Sequence, residues 1–235
     1  MKSIKEMNLS QRIMLAANVL LIVAIFILNY FYQSNGFSFK LKCTCSGLFA
    51  FLGLANLGYA IFVKAKNMRF YAVMAAGLVL AFLGDVFIKY DFIAGAAVFA
   101  LGHVAFVVAY CFVERLRPLD YILWGAIFAG AAAFLLSPLV TFSVPLYRVV
   151  CVVYALIISA MLGKAVGNFV RKKSLVSGTV AFASFLFFFS DLMLVLDWFV
   201  GKWEWTDNAC MGTYYPALCF LGLSMLLTLL KKEEQ

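Results

Sequence analysis

Two aspartates stand inside runs that are otherwise apolar. Asp85 lies in Phe82-Leu83-Gly84-Asp85-Val86-Phe87-Ile88, and Asp191 in Phe188-Phe189-Ser190-Asp191-Leu192-Met193-Leu194. An ionisable side chain in such a run is costly unless it is paired, neutralised or hydrated, so each acid needs a reason to be there. Two carboxylates brought close in a low dielectric do not both ionise easily, so one keeps its proton. That pairing suits acid chemistry: the protonated acid donates, and the ionised one stabilises a cation or activates water. His103, the one histidine of the chain, falls mid-run between Phe92 and Val113. Other chemistries lack their parts. There is no phosphate-cradling glycine loop, no Gly-x-Ser-x-Gly elbow and no His-Glu-x-x-His motif. One histidine and a Cys43-x-Cys45 pair do not make a zinc site, and no metal is expected.

The elements that must position these groups are membrane spans. Of 235 residues, 66% are hydrophobic and 13% charged, with mean hydropathy +1.00. Soluble domains run at roughly 45–50% apolar and about 25% charged. A soluble domain, a disordered chain and a disulfide-stapled secreted module are thereby excluded. A helix needs about 20 apolar residues to cross a bilayer. Apolar runs broken by charge, Gly, Pro and Ser predict eight spans, at approximately 12–32, 44–64, 69–90, 92–113, 119–140, 145–170, 174–200 and 209–230. The expected fold is all-α, a single transmembrane domain over residues 1–235 forming a bundle of eight helices. Asp85 and Asp191 each lie about 16–17 residues from the inner end of a span, roughly 25 Å at 1.5 Å per residue. Their similar surroundings, four spans apart, point to two four-helix halves crossing in the same direction.

Charge orients the bundle. With the N-terminus inside, 14 of the 19 Lys and Arg residues fall on the inner side and five on the outer: Lys40, Lys42, Lys89, Arg148 and Lys202. Both termini are then cytoplasmic. The net charge of +8 belongs to this bias, and no nucleic-acid partner is expected. Tyr30, Tyr32, Tyr90, Trp198, Trp203 and Trp205 gather at the predicted outer ends, as interfacial aromatics do. Small residues at i, i+4 predict close helix contacts, at Gly77, Ala81 and Asp85 and again at Ala126 and Gly130. Lys164 and Asp197 lie near span ends, where snorkelling accounts for them. Cys111, Cys151 and Cys219 read as small buried residues. Cys43, Cys45 and Cys210 lie near loops, which leaves a disulfide among them open.

The chain resembles the YhhN-like membrane proteins, a family that includes the lysoplasmalogenases. Leu83-Gly84-Asp85-Val86 resembles that family's Gly-Asp motif. Phe92-x-x-Gly95-x-x-x-Phe99-x-x-x-His103 is similar to its next motif, and Val152-Val153-Tyr154 to its Tyr-containing helix. Ser190-Asp191 and Thr213-Tyr214-Tyr215 resemble its last two motifs. The chain departs from the pattern at Phe106, where Tyr is frequent, at Asn67-Met68-Arg69, where Lys-Pro is frequent, and near Leu218, where Gln is frequent.

The resemblance implies hydrolysis of the vinyl ether bond of a lysoplasmalogen, to a fatty aldehyde and a glycerophospho-alcohol, with no cofactor. The partners would be that lysophospholipid and the lipids of the surrounding membrane, which in a bacterium is the cell membrane. Asp85 and Asp191 would be the catalytic pair, without saying which is the acid. His103, Ser190, Tyr154 and Tyr214 would orient the carboxylates or hold the substrate. Composition alone equally fits a small proton-coupled transporter or a non-catalytic lipid-binding protein.

Overall fold

The computed structural model describes residues 6–201 and 203–231. They form eight helices: α1 (Leu9–Ser34), α2 (Phe39–Phe62), α3 (Met68–Phe87), α4 (Phe92–Val113), α5 (Pro118–Leu135), α6 (Pro145–Arg171), α7 (Leu175–Phe199) and α8 (Glu204–Leu229). All eight are long and apolar enough to cross a membrane. Large apolar side chains such as Leu20, Phe62 and Ile122 face outward, which suits lipid rather than water. This is an integral multi-pass membrane protein. Of the charges used to orient it, Lys2, Lys5, Lys202 and Lys232 lie outside the described residues.

Local sequence sets the helix ends. Asn8 caps α1, its Oδ1 accepting from Gln11 N at 2.9 Å while Gln11 Oε1 accepts from Asn8 N at 3.1 Å. Pro118 and Pro145 open α5 and α6, where the missing N–H costs nothing. α4 occupies the span read from the sequence. α2 begins at Phe39 rather than 44, because Lys40 and Lys42 belong to its first turn and not to a loop. α5 stops at Leu135 rather than 140, ahead of Ser137-Pro138. Between α1 and α2, Gly36 and Phe37 take φ of 70° and 59°. This left-handed turn is strained for Phe37. Its ring packs edge-on against Tyr32 at 5.2 Å. Tyr32 is thus buried in the core, not at the interface as expected.

Glycines let α3 and α4 approach closely. A Cβ at Gly77 would lie 2.6 Å from the Phe106 ring, and one at Gly84 2.7 Å from that of Phe99. Gly77, Ala81 and Asp85 form the buried face that their spacing predicts. The helix neighbours of the two halves correspond. α3 packs on α4 as α7 does on α8, α2 on α3 as α6 on α7, and α2 on α8 as α6 on α4. The correspondence fails at the outermost helices. α1 leans on both α2 and α8, whereas α5 is held by α6.

Toward the Pro118 end of α5, α5 and α6 come close together. A Cβ at Gly163 would lie 2.7 Å from Trp124 N, and Trp124 Nε1 donates to Leu156 O at 2.8 Å. Lys164 does not snorkel. It is 1% exposed, and its Nζ donates to Asp120 Oδ2 at 3.0 Å and to the Arg115 carbonyl at 2.9 Å. Arg171 completes the cluster, Nη1 and Nη2 reaching the two Asp120 oxygens at 2.7 and 3.1 Å. The inward turn of Lys164 follows from the buried carboxylate facing it on α5. Asp197 is also engaged, accepting from Thr206 Oγ1 at 2.8 Å. All six cysteines, Cys43, Cys45 and Cys210 among them, are free thiols.

Candidate active site

A cavity of about 560 Å³ lies between α4, α5, α6 and α7, with α2, α3 and α8 closing its polar side. Ligand sites commonly span about 300–1,000 Å³. Its walls are mostly Ala, Ile, Leu, Val and Phe. The polar groups that line it are few: Lys42, Asp85, Tyr154, Ser190, Asp191 and Tyr214, with the thiols of Cys151 and Cys210 and the Trp198 indole. The structure thus gathers five of the six residues singled out in the sequence around one space. The sixth, His103, is fully buried behind Tyr154.

Three side chains donate to Asp85, which is 2% exposed. From α2, Ser46 Oγ reaches Oδ2 at 2.6 Å and Lys42 Nζ lies 3.0 Å from Oδ1. From α8, Tyr214 OH donates to Oδ2 at 2.7 Å. A carboxylate with a cation on one oxygen and two hydroxyls on the other has the donors an anion needs when water is excluded. Lys42 escaped the sequence reading, which counted it among outer-loop charges. Its i, i+4 spacing from Ser46 was the available signal, because it puts both on one face of a helix begun at Phe39.

Asp191 has a different set. Tyr154 OH on α6 donates to Oδ2 at 2.7 Å. His103 Nε2 on α4 is 2.6 Å from the same hydroxyl and 3.4 Å from Asp191 Oδ2. His103 Nδ1 is buried and meets no hydrogen-bond partner among the described residues. Its ring packs against Phe187 at 4.6 Å, which fixes its plane. Asp191 keeps 17% of its side chain exposed. Ser190 turns to Cys210 rather than to either acid, with Oγ and Sγ 3.4 Å apart. The expectation was two close acids, one holding a proton, with His103, Ser190, Tyr154 and Tyr214 orienting them or holding the substrate. In the structure each acid has its own partners, one set containing a cation and the other a tyrosine and a histidine.

Each aspartate takes its partners from corresponding helices. Asp85 on α3 is met by α2 and α8, and Asp191 on α7 by α6 and α4. Among the described residues, no three His, Cys, Asp or Glu side chains come together as a metal site.

Fold and site together define a polytopic membrane protein with a mostly apolar cavity and two carboxylates in its wall. The model of the YhhN family matches residues 37–225, a stretch that holds every residue of this site. The chain belongs to the YhhN family. No match was found among curated proteins or solved structures.

Proposed function

We propose that this protein is a lysoplasmalogenase-type hydrolase, cleaving the vinyl ether of a single-chain ether phospholipid. The observation that carries the reading is two carboxylates with unlike partners in the wall of one apolar cavity. Vinyl ethers hydrolyse through protonation at carbon, and that needs an acid and an anion rather than a nucleophile. Asp191, the more open of the two, transfers its proton to the alkenyl carbon remote from oxygen. The carbon bonded to oxygen becomes an oxocarbenium ion. Asp85, balanced by Lys42, stabilises that cation and takes a proton from the attacking water. The hemiacetal so formed collapses to the aldehyde and the glycerol hydroxyl, Asp85 giving its proton to the departing oxygen and Asp191 taking that of the hemiacetal hydroxyl, which returns both acids to their starting states.

The remaining residues position these two. Tyr154 and His103 orient Asp191. Tyr214 and Ser46 hold Asp85. Ser190 and Cys210 supply a polar edge beside Asp191 for the glycerol hydroxyl. The alkenyl chain lies against the apolar walls, reached sideways from the bilayer.

The test is product formation by purified protein in detergent. Release of a long-chain aldehyde from a lysoplasmalogen, and none from its saturated ether analogue, is the expected result. A carrier would release nothing without a sealed compartment. Failure to release aldehyde from any headgroup variant would overturn the reading.

A further inference from the structure

Ala126 and Gly130 lie one turn apart on α5, a spacing that predicts a close helix contact. The structure puts them elsewhere: both line the cavity, and a Cβ added at Gly130 meets nothing within 4 Å. No packing requirement keeps Gly130 small. What smallness does there is leave room.

The room has a direction. Measured along the helices at 1.5 Å per residue, Asp191 and Asp85 stand roughly 24–26 Å from the inner ends of α7 and α3. On the same scale Gly130 and Ala126 stand roughly 18 and 12 Å from the inner end of α5. One apolar limb therefore runs from the carboxylates toward the bilayer centre, between Ala126, Ile127 and Gly130 on α5 and Ala155 and Ile158 on α6, while Phe92, Val195, Trp198 and Phe199 line the part of the cavity on the other side of them. It ends where the two helices close. There, a Cβ at Gly163 would lie 2.7 Å from Trp124 N, and neither residue lines the cavity.

We propose that Ala126 and Gly130 set the length of the hydrocarbon chain this cavity accepts, with the α5–α6 closure as its floor. The proposal rests on the reading above that a single-chain lipid is the ligand. A chain that fits between carboxylates and floor is held along its whole length, and a longer one must bend out toward the lipid. A larger side chain at either position shortens the limb from its wall.

The experiment uses full-length protein and a series of saturated ether lysophospholipids of increasing chain length, which bind without reacting. Thermal stabilisation in detergent reports binding, because a ligand that prefers the folded state raises its stability. Gly130→Ala, Gly130→Val and Gly130→Leu, with Ala126→Leu, should shift the best-stabilising chain to progressively shorter members. In hydrolysis, the kcat/KM ratio of the shortest to the longest lysoplasmalogen should rise about tenfold or more in Gly130→Leu. Gly125→Leu, on the same helix but outside the cavity lining and equally unobstructed, should leave both readouts at the wild-type pattern.

The graded small series keeps the test open should the Leu variant fold poorly. An unchanged chain-length optimum across the Gly130 series, or an equal shift from Gly125→Leu, would overturn the proposal. Binding with a shifted optimum but no aldehyde release would leave the ruler standing and remove the hydrolase reading.

Discussion

Lys42 and Tyr154 occupy corresponding places around the site. Lys42 reaches Asp85 from α2 and Tyr154 reaches Asp191 from α6, and only Lys42 is a cation. Similar surroundings in the sequence thus end in unlike electrostatics. That difference separates the roles assigned to the two acids.

Asp85→Asn and Asp191→Asn should each lower turnover at least about a hundredfold, the scale of a lost acid or base. The double variant should be little worse than either single one, because groups acting in one step are strongly non-additive. Aldehyde release by protein that still elutes as a folded species is the measurement. Near wild-type turnover in either single variant would take that residue out of the mechanism.

Lys42→Met removes the cation from a buried carboxylate. Breaking such a pair from one side costs about 3–5 kcal/mol, so the thermal midpoint in detergent should fall. Lys42→Met combined with Asp85→Asn should recover much of that stability without recovering turnover. A Lys42→Met protein as stable and active as wild type would show that the 3.0 Å contact contributes little.

Proton transfer to carbon makes the step sensitive to solvent isotope and to pH. Turnover should slow in deuterium oxide. It should also fall as pH rises, because the acid loses the proton it must donate. Tyr154→Phe, which removes the 2.7 Å hydrogen bond to Asp191, should displace the pH profile as well as lower its maximum. A profile unmoved by Tyr154→Phe would separate that hydroxyl from the acid.

Asp120 provides a contrast far from the cavity. Asp120→Asn leaves Lys164 and Arg171 facing one another without their carboxylate, and stability should drop by about 3–5 kcal/mol. The kcat/KM of the protein that remains folded should match wild type. A parallel loss of kcat/KM would extend the functional network to the Pro118 end of α5.

The charge bias predicts orientation. Reporter fusions at Gln235 and in the stretch Arg115–Pro118 should read cytoplasmic, and fusions near Lys202–Asp207 extracytoplasmic. A cytoplasmic reading from the last of these would reverse the assignment.

Much of this was legible in the chain because charge is rare in apolar runs. Asp85 and Asp191 stand out for that reason, and the eight helices follow from the lengths between breaks. Lys42 was hidden by its position. Near a span end, among other lysines, a cation needs no explanation, and only the fold reveals the carboxylate beside it. Lys164 misled in the same way, its long stem serving a buried partner as readily as the interface. Ala126 and Gly130 show a different limit. Small residues at helical spacing look the same whether they meet a neighbouring helix or a cavity. Packing decides, and packing here depends on how α5 sits against α6.

The crossed arrangement of partners has a consequence in time. Asp85, on the third helix made, obtains the Tyr214 hydroxyl only from the eighth, and Asp191, on the seventh, depends on His103 from the fourth. Neither half can complete a carboxylate's surroundings alone. During synthesis the surroundings of Asp191 are therefore made before those of Asp85: a chain cut short before Tyr214 holds His103 and Tyr154 for the later acid and still lacks the Tyr214 hydroxyl for the earlier one.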